Sequence, residues 1–503
     1  MFEQVTPESV GISSARLADY FETLRRAGLA MHSVLLMRGD KLLTEQYWAP
    51  FHRDFCHRMY SQTKSYVSIA IGLLCEEGKL SLDDPIVSHF PDKIDGEISP
   101  YLARQTVRDM LLMETGQQCP SWFTAGDPDR THLYLNRGVN FRPSRTLWQY
   151  DSGGSQVLSS LVERLSEMSL FDFLNERIFR HLGTFKTATI LKTPNGDAWG
   201  DSALVCTTRD MMSFARLLLN GGVWQGKRLI SEAYIKEATS PLVDNDEDGW
   251  PTVLQHGYGY QIWHCENDGF AFVGMGGQLT LCFPTLDVIF CCNADVQGDP
   301  RGYDAILRPM MDQIIYPMQD HPLPEDPAAA ARLTEVTRSL TLISATGKRH
   351  VPFADEIDGK TYLCEPNHMG ITKFSFTFAR DGGVLRYTNA QGEKQLPFGL
   401  CRNELCKFPQ YGYSNEAGGV RTTDGFLYDA AVSAAWREER KLSLRVQIID
   451  RYFGNLRAIF AFRDNDVVVN MISTAEDFLG EYHGMLLAKR ENETPKPKKS
   501  KTF

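Results

Sequence analysis

The sequence predicts an α+β protein: helices layered on an antiparallel sheet, followed by a second, β-rich domain. Three observations predict it. A helix and a β-hairpin open the chain, two apolar strand-like runs near residue 280 supply late strands for the same sheet, and beyond about residue 345 the pattern changes to short β runs separated by turns. At 503 residues the chain is also longer than one ordinary domain.

Residues 12–28 (ISSARLADYFETLRRAG) carry apolar side chains at helical spacing, with Ser13 or Ser14 placed to cap the start and Gly28 to stop the helix. MHSVLLMRGDKLLTEQYW reads as two strands joined at Gly39-Asp40, a hairpin signal. Residues 62–78 (QTKSYVSIAIGLLCEEG) are apolar nearly all round, which predicts a buried helix closed by Gly78. After Tyr150, SQVLSSLVERLSE predicts a further helix. GGQLTLCF (276–283) and DVIFCCNA (287–294) flank Pro284-Thr285 and read as paired, buried strands. These elements make a first domain of residues 1–320.

Three prolines and an alanine run in MQDHPLPEDPAAAAR predict a linker, set at 321–344. GKTYLCEP, KFSFTFARDGGVLRYTN, GFLYDAAV, KLSLRVQIID, AIFAFRDNDVVVNMI and LGEYHGMLLA then predict an antiparallel β-barrel or sandwich over 345–487. The polar, basic end KRENETPKPKKSKTF offers no apolar partner for packing, so residues 488–503 read as a disordered tail.

Hydrophobic content of 43% and charged content of 23% allow a core large enough to shelter a dry site. A formal net charge of −10 argues against nucleic acid, whose phosphates need a basic face. No run of about 18 apolar residues predicts a membrane span. MFEQVTPESVGISS lacks the basic and apolar regions of a secretory leader, and the 11 cysteines are scattered without a CxxC pair. The expectation is a cytoplasmic protein with reduced thiols and no zinc site.

Three segments are candidates for chemistry. Met59-Tyr60-Ser61-Gln62-Thr63-Lys64 places Ser-x-x-Lys at the mouth of the buried helix. Residues three apart on a helix lie about 5–6 Å apart at Cβ, and a serine in the first turn meets free backbone N–H groups. Lysine at that spacing can hold or accept the serine's proton. The same residues are equally read as a capping serine with a lysine reaching for solvent. Tyr150-Asp151-Ser152-Gly153-Gly154 sets a phenol and a hydroxyl two residues apart on a loop loosened by paired glycines; the alternatives are a structural tyrosine and Ser152 as a helix cap. Phe272-Val273-Gly274-Met275-Gly276-Gly277-Gln278 is glycine-rich enough for a substrate to approach a strand closely, or for a bulge or tight turn.

Together these segments resemble the serine β-lactamase and penicillin-binding-protein superfamily, in its class C-like branch of esterases, amidases and D-aminopeptidases. The resemblance covers about residues 5–315 and extends to TPESVGISSARL, EEGKLSLDDPIVSHFPD, TVRDMLLMETG and SALVCTTRDMMSFARLLLNGGVWQGKRLI. It implies a β-lactamase/transpeptidase-like domain with Ser61 as acylated nucleophile, Lys64 as its proton partner, and Tyr150 completing the general base and serving as acid for the leaving group. The oxyanion donors implied are the N–H groups of Ser61 and Met275. Ser152, Phe272, Gly274 and Gly276 fall at substrate-binding positions. No cofactor or metal is implied.

Two departures bear on substrate. The family's Tyr-x-Asn is here Tyr150-Asp151-Ser152, a variant also seen in nylon-oligomer-hydrolase-like members. The usual Lys-Thr-Gly or His-x-Gly aligns with Phe272-Val273-Gly274, which offers no cation for a substrate carboxylate. Both favour an ester or amide of a small molecule or short peptide over a β-lactam. A D-amino-acid amidase or DD-peptidase, and a catalytically degenerate ligand-binding member, are the alternatives. The β-rich domain resembles accessory, lipocalin-like barrels of D-aminopeptidase-like members, which restrict the cleft or support a homo-oligomer.

Overall fold

Apolar residues at successive positions, and so on both faces of the central strands, explain why the first sheet lies in the middle of its unit. The computed structural model describes residues 2–119, 126–245, 249–411, 426–475 and 478–491, and the chain divides into a first unit that runs through Ile343 and a second that begins at Ser344. In the first unit β1 (Glu3–Gln4), β2 (Met31–Arg38), β3 (Lys41–Tyr47), β4 (Trp263–Cys265), β5 (Gly269–Gly274), β6 (Gln278–Phe283) and β7 (Val288–Ala294) form one sheet in the order β1-β3-β2-β7-β6-β5-β4. Every pairing is antiparallel except the short one between β1 and β3. Early and late strands meet where β7 lies beside β2, with Cys291 opposite Leu35.

Both faces of this sheet are covered, so its central strands are buried at successive positions rather than at alternate ones. One face packs against α1 (Ser14–Ala27) through Leu17, Tyr20, Phe21 and Leu24, which meet Val34, Leu36 and Leu281. The other packs against α2 (Gln62–Glu76), where Tyr66, Val67 and Ala70 meet Leu35, Met37 and Phe272. Ser13 and Gly28 flank α1 as expected, and Gly78, at φ +68°, ends the chain turn after α2. Helix α3 (Ser152–Ser166) lies beside α2, and α4 (Thr208–Leu219) covers the same face of the sheet through Met211 and Phe214.

Two expectations fail here. The stretch expected as a linker contains a helix, α5 (Pro327–Arg338), that belongs to the first unit. Asp326 caps it by accepting from the N–H of Ala329 at 2.9 Å, Pro327 fills its first position, and Arg332 bonds Asp19 of α1. Proline at that position is preorganised for a helix and alanine is the best helix former, so the same composition that suggested a spacer supports packing. The second failure concerns Gly153 and Gly154, expected to loosen a loop. They form the first turn of α3, where a Cβ on Gly153 would lie 2.9 Å from the Tyr134 ring and one on Gly154 2.7 Å from Asp151 Oδ2.

The second unit is a closed β-barrel. Its strands are β8 (Thr361–Cys364), β9 (Lys373–Ala379), β10 (Gly382–Asn389), β11 (Gly392–Leu400), β12 (Glu404–Lys407), β13 (Asp429–Glu438), β14 (Lys441–Ile449), β15 (Phe453–Arg463), β16 (Asp466–Ala475) and β17 (Gly484–Arg490). The order β11-β10-β9-β8-β17-β16-β15-β14-β13 closes on itself when β11 pairs in parallel with β13, Gly399 opposite Ser433; β12 adds to the edge of β13. Aromatic rings fill the interior, as where Phe376 meets Phe460 edge to face at 4.9 Å. Strand β17 takes in Ala488–Arg490, the first residues assigned to the tail, and residues 492–503 lie outside the described ones. Among the described residues no helix is long and apolar enough to cross a membrane.

Candidate active site

The chain enters α2 through a strained residue. Tyr60 has φ +48°, unusual for a non-glycine side chain, and Ser61 follows as the residue flanking the helix start. The Ser61 hydroxyl makes no capping bond to the helix. It accepts instead from Lys64 Nζ at 2.9 Å, one turn on. Lys64 does not reach for solvent: it is 1% exposed, donates to the carbonyl of Asp201 at 2.7 Å, and lies 3.9 Å from Asp201 Oδ2. The capping serine and the solvent-seeking lysine are therefore both set aside.

Tyr150 reaches this pair from far along the sequence, its ring centroid 5.1 Å from Lys64 Nζ. The ring stacks on Trp263 at 6.1 Å and leans on Trp250 at 5.6 Å, while Trp148 packs beneath against Trp263 and Tyr258. Behind it, Asp151 rather than Ser152 caps α3, accepting from the N–H of Gly154 at 2.9 Å. The same carboxylate accepts from Thr115 at 2.8 Å and from the Tyr134 hydroxyl at 2.9 Å. Burial pushes its carboxyl above the usual range, opposed by those three donors and by Lys64. Ser152 sits half-buried in the first turn, its hydroxyl without a hydrogen-bond partner among the described residues.

The glycine-rich segment closes the arrangement from the sheet. Residues two apart on a strand share a face, so Phe272 and Gly274 both look toward α2. Phe272 is fully buried against Tyr66 and Phe214, inside the core, so it does not line a cleft as expected. Gly274 comes so close that a Cβ there would stand 2.1 Å from the carbonyl oxygen of Met59. The strand end is thereby held against the segment leading into Ser61. Met275 begins the turn, followed by Gly276 at φ +80° and Gly277 at φ +99°. Gly276 is buried, its carbonyl accepting from the N–H of Val296. Among the described residues, neither the N–H of Ser61 nor that of Met275 meets an acceptor.

Three features escaped the sequence reading. The segment Ala198–Ser202 ties the parts together: Asp201 holds Lys64, Ser202 accepts two bonds from the buried Arg58, and Gln156 of α3 bonds Ala198 and Gly200. Arg58 in turn stacks on Tyr60 at 4.3 Å. Tyr303 donates to the carbonyl of Gly274 at 3.3 Å, and burial next to Tyr150 raises its phenol above the usual range. Trp148 and Trp250 complete the aromatic surround of Tyr150. Gln278 braces the turn from below, donating to the carbonyls of Met275 and Ala294.

The family model described as Beta-lactamase matches residues 15–305. The chain belongs to the β-lactamase family. It is a hydrolase of that family, and its first unit carries the β-lactamase/transpeptidase-like fold that the motifs implied. The 6-aminohexanoate-dimer hydrolase of Paenarthrobacter ureafaciens is 25% identical over 298 residues, covering 55% of this β-lactamase-family chain and 75% of that protein. Among solved structures, an octameric penicillin-binding protein homologue from Pyrococcus abyssi is 15% identical, with a TM-score of 0.48 over 94% of this chain and 99% of that one. A D-stereospecific amidohydrolase from Streptomyces sp. is 18% identical, with a TM-score of 0.46 over 59% of this chain and 98% of that one.

Proposed function

We propose that this hydrolase cleaves an ester or amide of a small molecule or short peptide through an acyl-enzyme on Ser61. The observation that carries the reading is the bond from Lys64 Nζ to Ser61 Oγ within a buried site. Ser61 Oγ attacks the substrate carbonyl while its proton passes to the Lys64–Tyr150 pair, which returns it to the leaving alcohol or amine. Water then attacks the acyl ester by the same route, releasing the acid and restoring Ser61. The unpaired N–H groups of Ser61 and Met275 are the donors for the oxyanion, a role in which each such group contributes about 10²–10³ in rate.

The acyl side of the substrate carries no carboxylate in this reading, because the strand that holds a cation in many relatives here holds the core residue Phe272. The relative named for hydrolysing an aminohexanoate dimer supports small linear amides as one substrate class. The aromatic surround of Tyr150 favours an apolar or extended substrate over a highly charged one.

Stopped-flow mixing with p-nitrophenyl acetate and butyrate tests this directly. The expected trace is a burst of p-nitrophenol close to one equivalent per enzyme, then slower turnover, with both phases lost in Ser61→Ala. Turnover by Ser61→Ala at the wild-type rate would overturn the assignment.

A further inference from the structure

The turn that follows β5 carries the Met275 N–H, one of the two donors assigned to the oxyanion, and it is built from glycines. Gly276 and Gly277 both sit at positive φ, +80° and +99°, and glycine rotates about its backbone more freely than any other residue. A peptide plane beside such residues keeps its direction only where its neighbours hold it. Gln278 Nε2 holds the carbonyl of Met275 at 3.1 Å, and the N–H of Val296 holds that of Gly276 at 2.9 Å. The carbonyl of Gly274 matters most, because it belongs to the same peptide unit as the Met275 N–H.

Tyr303 reaches that carbonyl from outside the hairpin, donating at 3.3 Å. The residue flanks the start of the helix Asp304–Met310, and its own carbonyl accepts from the N–H groups of Ile306 and Leu307, whose side chains are fully buried. The phenol therefore projects from a fixed point. Its oxygen also faces the N–H of Gly276, so one hydroxyl spans the two peptides that flank Met275. Tyr150 lies close enough to act on it electrostatically, which puts the hydroxyl at the border of the reacting centre. Burial and that neighbour raise the phenol above its usual range, so it keeps its proton and serves as a donor rather than a base.

We infer that Tyr303 is a positioning residue for the oxyanion: by bonding the carbonyl of the Gly274–Met275 peptide, it aims the N–H at the other end of that peptide into the site. A donor on the carbonyl also polarises the N–H across the amide, so the bond to the oxyanion is strengthened as well as directed. The inference rests on the acyl-enzyme reading above. Removing an oxyanion donor altogether costs about 10²–10³ in rate, and a donor left in place but unbraced forfeits part of that, about tenfold.

Tyr303→Phe tests this, since it removes the hydroxyl and keeps the ring. Acylation and deacylation both pass through an oxyanion. With p-nitrophenyl acetate the burst rate and the steady-state rate are therefore expected to fall together, about tenfold, while KM, which follows their ratio, stays unchanged. Phenylboronic acid, whose boron takes up the Ser61 oxygen and carries a hydroxyl where the oxyanion would stand, should bind more weakly by the same factor. The pH profile should keep its shape, and Tm should fall by no more than a few degrees, as for one lost hydrogen bond. Wild-type rates and boronate affinity in Tyr303→Phe overturn the inference. So does a shifted pH profile with boronate affinity intact, which would make the phenol a proton carrier, and so does a collapse of Tm, which would make it a support of the fold. The two readings fail separately. Wild-type turnover by Ser61→Ala sinks the acyl-enzyme, whereas a burst that Ser61→Ala abolishes and Tyr303→Phe leaves untouched sinks this inference alone.

Discussion

Lys64 is held by two acceptors from different parts of the chain, the Ser61 hydroxyl and the Asp201 carbonyl, and Tyr150 lies against its amine. Replacing either partner removes a step rather than a contact. Lys64→Met is expected to lower kcat for p-nitrophenyl acetate by about 10³-fold or more, and Tyr150→Phe by about 10²–10⁴-fold, with smaller changes in KM. Asp151 plays a different part. It caps α3 and satisfies Thr115 and Tyr134, so Asp151→Ala leaves three donors without their acceptor. Loss of the cap and of buried hydrogen bonds should cost about 2–4 kcal/mol, read as a lowered urea midpoint. Ser61 and Lys64 were legible in the sequence because their proximity follows from helix geometry alone. Asp201 and Tyr303 were not, since each acts on a backbone carbonyl or through one, a contact that leaves no residue-type signature and joins positions 137 and 29 residues apart.

At the scale of elements, α2 and β5 are fixed against each other by the absence of a side chain. Gly274→Ala would set a methyl carbon 2.1 Å from the Met59 carbonyl, and neither backbone can give way without moving the start of α2. The expected outcome is a loss of more than tenfold in esterase activity together with a fall of several degrees in Tm, whereas Gly96→Ala, where a Cβ meets nothing, should leave activity intact. The period of a strand also explains the misplacement of Phe272. Its alignment with a substrate-binding motif suggested a cleft, but two-residue periodicity puts it on the same side as Gly274, beneath α2. In the first unit α1, the β2–β3 pair, α2, α3 and the β6–β7 pair were readable from periodicity with cap and turn signals. The linker was misread because proline and alanine serve a helix start as well as a spacer, and only the tertiary contacts of Arg332 with α1 decide between them.

The whole molecule carries a buried acid liability. His32 and His57 are buried, the first stacked on Phe51 and the second tilted against it, and burial lowers both, His57 to about 3. In the unfolded chain a histidine protonates near 6.5, so below that pH the unfolded state binds protons that the folded state refuses. Stability is thus complete above about pH 6.5 and falls as the pH drops from there toward 3, by about 1.4 kcal/mol per pH unit for each histidine once below its unfolded value. Urea titrations at pH 7.5, 6 and 5 should show the midpoint falling in step, and His57→Phe should flatten the dependence. A midpoint that holds constant over that range would mean that the pair is not buried as described.

The account turns on whether a single hydroxyl becomes acylated because a sheltered amine and phenol stand beside it. Intact-mass analysis after brief exposure to a fluorophosphonate probe, followed by peptide mapping, measures this most directly. The prediction is one adduct per chain, carried by the peptide containing Ser61, absent in Ser61→Ala and formed far more slowly in Lys64→Met. An adduct on any other residue, or wild-type labelling in either variant, would contradict it.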